Sequence, residues 1–517
     1  MSRGRRPLAG KLGGCALPTG RIRVIVYWKM SEQHYLALDL GAESGRAIVG
    51  TVAGNTLSLA ETHRFANYPV RRPSGLHWDV TNLWREIQTG IALSARRFRL
   101  QSLALDTWGV DFALLDGEHQ LLGDPHHYRD ARTDGMLEEA FHRVPREEIF
   151  AQTGIQFMQI NTLYQLLAMM IARDPRLDAA RTFLTIPDLF NHWLSGSLTC
   201  EFTNATTTQC FNPLTRSWAF PLLEALDIPA HIFPVVHEPG TSLGPLPSAL
   251  AAGTGAGAVP VIAPACHDTG SAVVAVPAQN DDFAWLSSGT WSILGAEVRR
   301  PNLSPQALAY NFTNEGGVFG NWQLSKNIVG LWLLQECRRE WGLTYDDMTH
   351  LAAEARPWLA VIDPDSDLFL YPGNMPGKIC AFCAETGQPV PHSQGEIVRV
   401  ALESLALKYR LTLACLEELA GKRLSPIHII GGGTKNRLLS QLTADCTGRV
   451  VVAGPVEATA IGNILMQAIT LGHLGSLVEA RRLVGRSFDV ETYQPASAAG
   501  WDDAFARLLS LIGSGRP

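Results

Sequence analysis

Apolar positions along this chain arrive in short runs that break at small polar turns. The run YLALDLGAESGRAIVGTV (35–52) predicts two strands joined by a turn rich in glycine and serine, the pattern of a β-hairpin, and Asp39 interrupts the first strand near its end. SLALDTWGVDFALLD (102–116) predicts a further strand after a helical stretch that begins near Leu83, and it sets Asp106 and Asp111 in apolar surroundings. Strands that alternate with helices give an α/β architecture, and a hairpin at the start makes its sheet mixed rather than purely parallel.

FAWLSSGTWSILGAEV (283–298) repeats the opening arrangement of strand, small polar turn and strand. Two similar hairpins so far apart predict a duplicated core, one copy opening each of two lobes, with the boundary near Val276 to Asp282 where PAQNDD is polar and turn-forming. In the second half, Val398, Leu402, Leu405, Tyr409, Leu413 and Leu416 fall on one helical stripe within 396–419, and Gly421 marks its stop. PIHIIGGGTKNRLLSQLTADCTGRVVV (426–452) reads as strand, triple glycine, helix, strand. Such a junction lets backbone approach a ligand and aims helix N–H groups at polar or anionic atoms.

Length supports the two-lobe reading, because 517 residues exceed what one hydrophobic core organises. Domains over 34–276 and 277–510, with a cleft between them, are expected. With 46% hydrophobic and 18% charged residues, the chain has ample material for a packed core. A net charge of -6 leaves no basic footprint for nucleic acid, and no apolar run is long enough for a membrane span, so a soluble, cytoplasmic enzyme is expected. Nine cysteines without framework spacing read as reduced thiols; Cys380 and Cys383 form a lone Cys-x-x-Cys with no further zinc ligands at suitable spacing. The leading segment through residue 33 reads as a disordered or non-native extension: its first 29 residues are rich in Arg and Gly, and Met30 is the expected true start.

Phosphoryl transfer needs a phosphate cradle, a magnesium ligand and a group that orients the attacking hydroxyl. Gly41, Ser44 and Gly45 form a turn whose N–H groups suit phosphate, Arg46 adds a cation and Asp39 can hold magnesium; an ordinary tight hairpin turn would show the same residues. Ser288, Gly289 and Thr290 in the second hairpin supply a facing turn. The Gly-x-x-x-x-Gly-Lys-Ser/Thr loop is missing, which argues against a P-loop kinase. VPVIAPACHDTGSAVVAV (259–276) presents His267, Asp268, Thr269 and Gly270 between apolar stretches. Asp268 there reads either as a helix N-cap or, with His267, as an acceptor for a sugar hydroxyl and its proton.

Taken together, DLGAESGR (39–46), DTWGVDFALLD (106–116), YRDART (128–133), GIQFMQINTLYQL (154–166), TNATTTQ (203–209), CHDTGSAV (266–273), LSSGTWSILG (286–295), TNEGG (313–317), KNIVGLWLLQ (326–335) and IIGGGTKN (429–436) resemble the FGGY carbohydrate kinases. The resemblance spans about Tyr35 to near residue 495; its glycine-rich pieces are generic, whereas YRDART, TNATTTQ and KNIVGLWLLQ are specific. It implies a two-lobed actin-like ATPase fold of the ribonuclease H-like kind, with a central cleft. It implies magnesium and ATP, lobes that close around both substrates, and γ-phosphate transfer to the 1-hydroxyl of L-rhamnulose. L-fuculose or L-xylulose are alternative acceptors, and a non-catalytic nucleotide-binding regulator is the alternative of another class. By position, Asp268 corresponds to the catalytic base, and Gly109, His267, Thr269 and Asn327 correspond to ketose-binding residues. Ala42, Glu43, Ser44, Gly45 and Arg46 correspond to the first phosphate loop, Thr290 to the second, and Gln335 and Gly432 to nucleotide contacts. A monomer or homodimer acting on small molecules is expected.

Overall fold

The computed structural model describes residues 32–496 and 499–513. In the strand Gln33–Leu40 every residue from Tyr35 onward is buried. A strand covered on both faces needs such a continuous apolar run, where a one-sided strand would alternate. It pairs antiparallel with Ser44–Ala53, which pairs antiparallel with Thr56–Ala66. On its other side lies the parallel Leu100–Thr107, followed by the parallel Pro260–Ala263 and the antiparallel edge strand Thr241–Pro245.

The second sheet is built the same way. Ala284–Ser288 takes the central place, with Trp291–Val298 and Trp322–Val329 antiparallel on one side. Ile427–Ile430 and Val451–Ala453 lie parallel on the other side, ending in antiparallel Glu491–Tyr493. Thr313–Gly316 adds one strand beyond Trp322–Val329. The duplication read from the two hairpins therefore extends to six matched strands with matched directions.

Each sheet has its own core. The helices Val80–Ala95 and Ile186–Ser195 cover the first sheet. The helix Gln394–Ala420 backs the second, with all six stripe residues buried. That helix opens on a capping box between Ser393 and Glu396 and ends at Gly421 in the left-handed region, φ 66°. A third cluster joins the lobes: Ala272 to Val276 pack with Ile461, Ile464 and Leu465 of the helix Ala458–Thr470, which also lies against Gln33–Leu40 and Leu100–Thr107. The polar stretch Val276–Asp282 lies between the helix Asp268–Val274 and the first strand of the second sheet.

Two expectations change. The run 102–116 is two strands, not one: Leu100–Thr107 ends, the chain turns at Val110 with φ 65°, and Phe112–Leu115 pairs with Thr182–Thr185 in a separate small sheet. The physical reason is Asp111, whose buried carboxylate accepts from Trp78 Nε1 at 2.6 Å, Trp108 Nε1 at 3.0 Å and Gln165 Nε2 at 2.9 Å, which folds the segment onto the indoles. Gln33, grouped with the leading extension, is the first residue of the first strand; the rest of that expectation falls on residues 1–31 and otherwise only on Glu32. The eight described cysteines are free thiols, Cys380 and Cys383 among them on the helix Met375–Glu385.

Candidate active site

Both hairpin turns open onto one cleft of about 550 Å³. Gly41 to Ser44 and Arg46 line it from the first lobe, Ser287 to Trp291 from the second, and Gly431, Gly432 and Lys435 from the triple-glycine turn. Trp108, Gly109, Val110, Gln156, Asn161, Thr207, His267, Asp268, Thr269 and Asn327 line the rest. The two turns therefore face one another across a shared cleft.

In the first turn, Gly41 N donates to Ser44 O at 3.0 Å, and Asn67 Nδ2 donates to Gly41 O at 2.8 Å. Gly45 does not line the cleft; it is glycine because a Cβ would stand 2.2 Å from the Phe65 ring. Arg46 lines the cleft, but carboxylates hold its terminal nitrogens, Asp39 at 2.6 Å and Glu457. In the second turn, Thr290 Oγ1 accepts from Gln335 Nε2 at 3.0 Å, and Thr290 O accepts from Trp332 N at 3.2 Å. Gln335 and Gly432 line the same cleft as Thr290. The triple glycine leads first into a 3-10 turn, Gly432–Lys435, and only then into the helix Arg437–Thr447.

Asp268 is the first residue of the helix Asp268–Val274, and the N-cap position belongs to His267. Its Oδ1 accepts from Thr269 N at 2.6 Å. His267 Nε2 lies 3.4 Å from Asp268 Oδ1, and His267 Nδ1 lies 3.2 Å from Glu315 Oε2. Burial pushes the Asp268 carboxyl above its usual range, against the opposing pull of His267. Burial also works to lower the His267 pKa, but Glu315 and Asp268 outweigh it, and the ring titrates above its ordinary value. Glu315→Gln removes the larger favourable partner, so the His267 pKa is expected to fall, read by NMR titration of the ring. An unchanged titration would show that Glu315 does not act on it.

A buried polar hub fixes this segment. Glu201 Oε2 accepts from Cys266 N at 3.1 Å and from Thr203 Oγ1 at 2.6 Å, and Thr203 Oγ1 accepts from His267 N at 3.1 Å. Thr206 Oγ1 accepts from Gly316 N of the second lobe at 2.8 Å, and Thr207 Oγ1 accepts from Val110 N at 3.0 Å. TNATTTQ is wholly buried although polar, and most of its side chains find partners there, Asn204 Oδ1 being the exception. On the opposite wall, Gln156 Oε1 accepts from Asn327 N at 2.8 Å and from Asn327 Nδ2 at 3.2 Å.

Behind the first turn, Asp39 and Asp106 are partners in register on adjacent parallel strands. Burial pushes the Asp39 carboxyl up to about 6 despite Arg46, and burial together with Asp39 pushes Asp106 well above its usual range. Asp268 adds to both shifts. Asp106 Oδ2 accepts from Asn463 Nδ2 at 2.6 Å, whereas Asp106 Oδ1 is buried without a partner. Among the described residues no three His, Cys, Asp or Glu side chains form a metal cage. Carboxylates that crowd one another suit a divalent cation, and magnesium takes one or two of them alongside phosphate oxygens, so the residues fit it.

Glu315, Gln156, Asn161, Thr207 and Glu457 belong to this site without having been singled out in the sequence. TNEGG and TNATTTQ carried a signal for Glu315 and Thr207, since a carboxylate or a polar run within apolar strands calls for buried partners. Glu457 carried none.

The N-terminal domain of the FGGY family of carbohydrate kinases matches residues 34–275, and its C-terminal domain matches residues 284–471. A rhamnulokinase of Bacteroides thetaiotaomicron is 44% identical over 483 residues, which is 93% of this chain and 100% of that protein. A rhamnulokinase of Oceanobacillus iheyensis is 41% identical over 91% of this chain and 100% of its own. Among solved structures, ligand-bound xylulose kinase from Lactobacillus acidophilus superposes with a TM-score of 0.78 at 17% identity, covering 92% of this chain and 96% of its own. Gluconate kinase from the same organism gives 0.76 at 17% identity, covering 92% and 96%. The fold is thus the two-lobed actin-like one, and the chain belongs to the FGGY family of carbohydrate kinases.

Proposed function

We propose that this protein transfers the γ-phosphate of ATP to the 1-hydroxyl of L-rhamnulose. The carrying observation is Asp268, a carboxylate at the cleft surface beside His267, in the same cleft as both hairpin turns. The rhamnulokinase relatives, matched over about nine-tenths of this chain, support the choice of sugar.

In this reading Asp268 accepts the proton of the sugar hydroxyl as phosphorus approaches, and its raised pKa makes it a better base than an exposed carboxylate. Gly109, His267, Thr269 and Asn327 hold the ketose. The turn at Ala42, Glu43 and Ser44 and the turn at Thr290 grip the phosphates from opposite lobes through backbone N–H groups and the Thr290 hydroxyl. Gly432 and Gln335 place the nucleotide. Gly45 supports the first turn from behind, and Arg46 keeps Asp39 ionised. Asp39 would hold magnesium with the ATP phosphates, and the ion supplies screening of phosphate charge. Domains over 34–276 and 277–510 then divide sugar and phosphate binding from nucleotide binding. Among the described residues no helix is long and apolar enough to cross a membrane; the cytoplasm, where ATP is plentiful, is the proposed setting.

Thr290→Val removes one hydroxyl from the second turn and frees the Gln335 amide. The ATP dissociation constant is expected to rise about tenfold, in line with a lost hydrogen bond to a charged group, read by titration calorimetry; no change would mean that this turn does not hold phosphate. The sugar is tested by coupled ADP release over L-rhamnulose, L-fuculose and L-xylulose. L-rhamnulose is expected to give the highest kcat/KM. A clear preference for either alternative would replace the substrate, and ADP release indifferent to every sugar would defeat the reading.

A further inference from the structure

Of the YRDART segment Tyr128 lines the cleft, and Arg129 beside it reaches across to the second lobe. Arg129 belongs to the first lobe, yet its guanidinium carbon stands 4.8 Å from the ring centroid of Trp332 and 5.5 Å from that of Trp291, both in the second lobe. Arg129 Nη1 also donates to Leu370 O at 3.4 Å. Trp332 is pinned by its own Nε1, which donates to Phe369 O at 3.0 Å. A second contact reaches the same helix, Trp332–Trp341. Arg339 stands 5.4 Å from the Trp332 centroid and gives Nη2 to Glu43 Oε1, in the first hairpin turn, at 2.9 Å.

We infer that Arg129 and Glu43 form a two-point latch on this helix that closes the cleft and fixes the Thr290 turn against the sugar end. The inference rests on the kinase reading above. The helix start and the Thr290 turn move together, because Trp332 N donates to Thr290 O at 3.2 Å and Gln335 Nε2 donates to Thr290 Oγ1 at 3.0 Å. Whatever grips the helix therefore sets the position of Thr290. The two points differ in strength. Glu43 and Arg339 are 49% and 53% exposed, and an ion pair so open to water contributes little. Arg129 lies among the faces of Tyr128, Trp291 and Trp332, where a planar cation loses water and gains the ring quadrupoles. Arg129 is thus the principal positioning residue, and Glu43–Arg339 the auxiliary one. A lysine cannot stack in its place, since its ammonium is a hydrated point charge without a flat face. Both contacts leave charged groups that water solvates well once the lobes part, which suits a contact made and broken in each turnover.

The test combines small-angle scattering with steady-state kinetics on Arg129→Ala, Arg129→Lys and Arg339→Ala. Scattering is recorded free and with a non-hydrolysable ATP analogue plus L-rhamnulose. Arg129→Ala is expected to show a larger radius of gyration than the parent in the analogue-bound state, and Arg339→Ala a smaller increase. Its kcat is expected to fall about tenfold while the sugar KM stays within about threefold, the split expected when closure rather than binding is lost. Arg129→Lys is expected to resemble Arg129→Ala. Equal radii for Arg129→Ala and the parent in both states would overturn the latch. So would a kcat loss matched by an equal loss of binding for both substrates and a lower unfolding midpoint, since that marks a plain structural role. If the parent itself releases no ADP in response to sugar, the substrate reading fails, and the scattering comparison alone still decides the latch.

Discussion

Asp268→Asn is expected to lower turnover by about two or more orders of magnitude while the ATP dissociation constant stays within about twofold of the parent. The amide matches the carboxylate in size and keeps an oxygen for Thr269 N, so the start of the helix should hold its geometry. What it loses is the capacity to take a proton. The substitution also removes a negative charge that raises the pKa of both Asp39 and Asp106, so the Asp39 carboxyl should titrate below its value of about 6. Binding of ATP by calorimetry and turnover by ADP release separate the two effects. Turnover near that of the parent would mean that another group takes the proton.

Gly462→Ala should do comparable damage from outside the cleft. Gly462 lies in the helix Ala458–Thr470, and a Cβ there would stand 1.8 Å from Ser271 O in the helix Asp268–Val274. The obstacle is backbone, so no side-chain rotation relieves it; the two helices must part. Overpacking usually costs 1–3 kcal/mol, and a backbone clash of this size is expected at about 3 kcal/mol or more. The displaced helix carries Asp268 at its first position. A misplacement of about 1 Å at the reacting groups costs roughly a hundredfold in rate. Denaturant unfolding and kcat, measured on the same variant, are therefore expected to fall together. Parent-like values of both would show that the helices are not in contact at this point.

The sequence was informative where chemistry follows from a local pattern. Each hairpin announces itself because its strands are buried on both faces and its turn must be small, so apolar runs and glycines alternate over fewer than twenty residues. Tyr409 and its stripe were legible for the same reason, since helical spacing needs no knowledge of what the helix meets. The misreading of 102–116 shows the limit. Its apolar run is nearly unbroken, and the break at Val110 comes from a carboxylate held by two indoles, one of them Trp78 from a separate segment. Arg46 looked like a free cation beside a glycine turn, yet Glu457, 411 residues further on, holds one of its nitrogens. No spacing rule reaches that far. The cleft itself is also tertiary: Gln156 meets Asn327, and Thr206 meets Gly316, only because the two lobes face each other.

The helix Ala458–Thr470 shows how the lobes are coupled. Its Asn463 and Gln467 are buried and bonded to each other at 2.8 Å, while Gln467 Nε2 donates to Leu36 O at 3.0 Å and Ser102 Oγ donates to Gln467 Oε1 at 2.7 Å. This polar chain ends on Asp106, beside Asp39. A helix late in the chain thereby braces the strands that carry the earliest site residues.

The most direct check is where the phosphate goes. Incubating the protein with ATP, magnesium and carbon-13-labelled L-rhamnulose and recording phosphorus–carbon couplings reports the acceptor oxygen without reference to any variant. Phosphorus coupled to C1, with one ADP formed per sugar consumed, is the predicted result. A phosphate attached at another carbon, or ADP formed without any phosphorylated sugar, would contradict it.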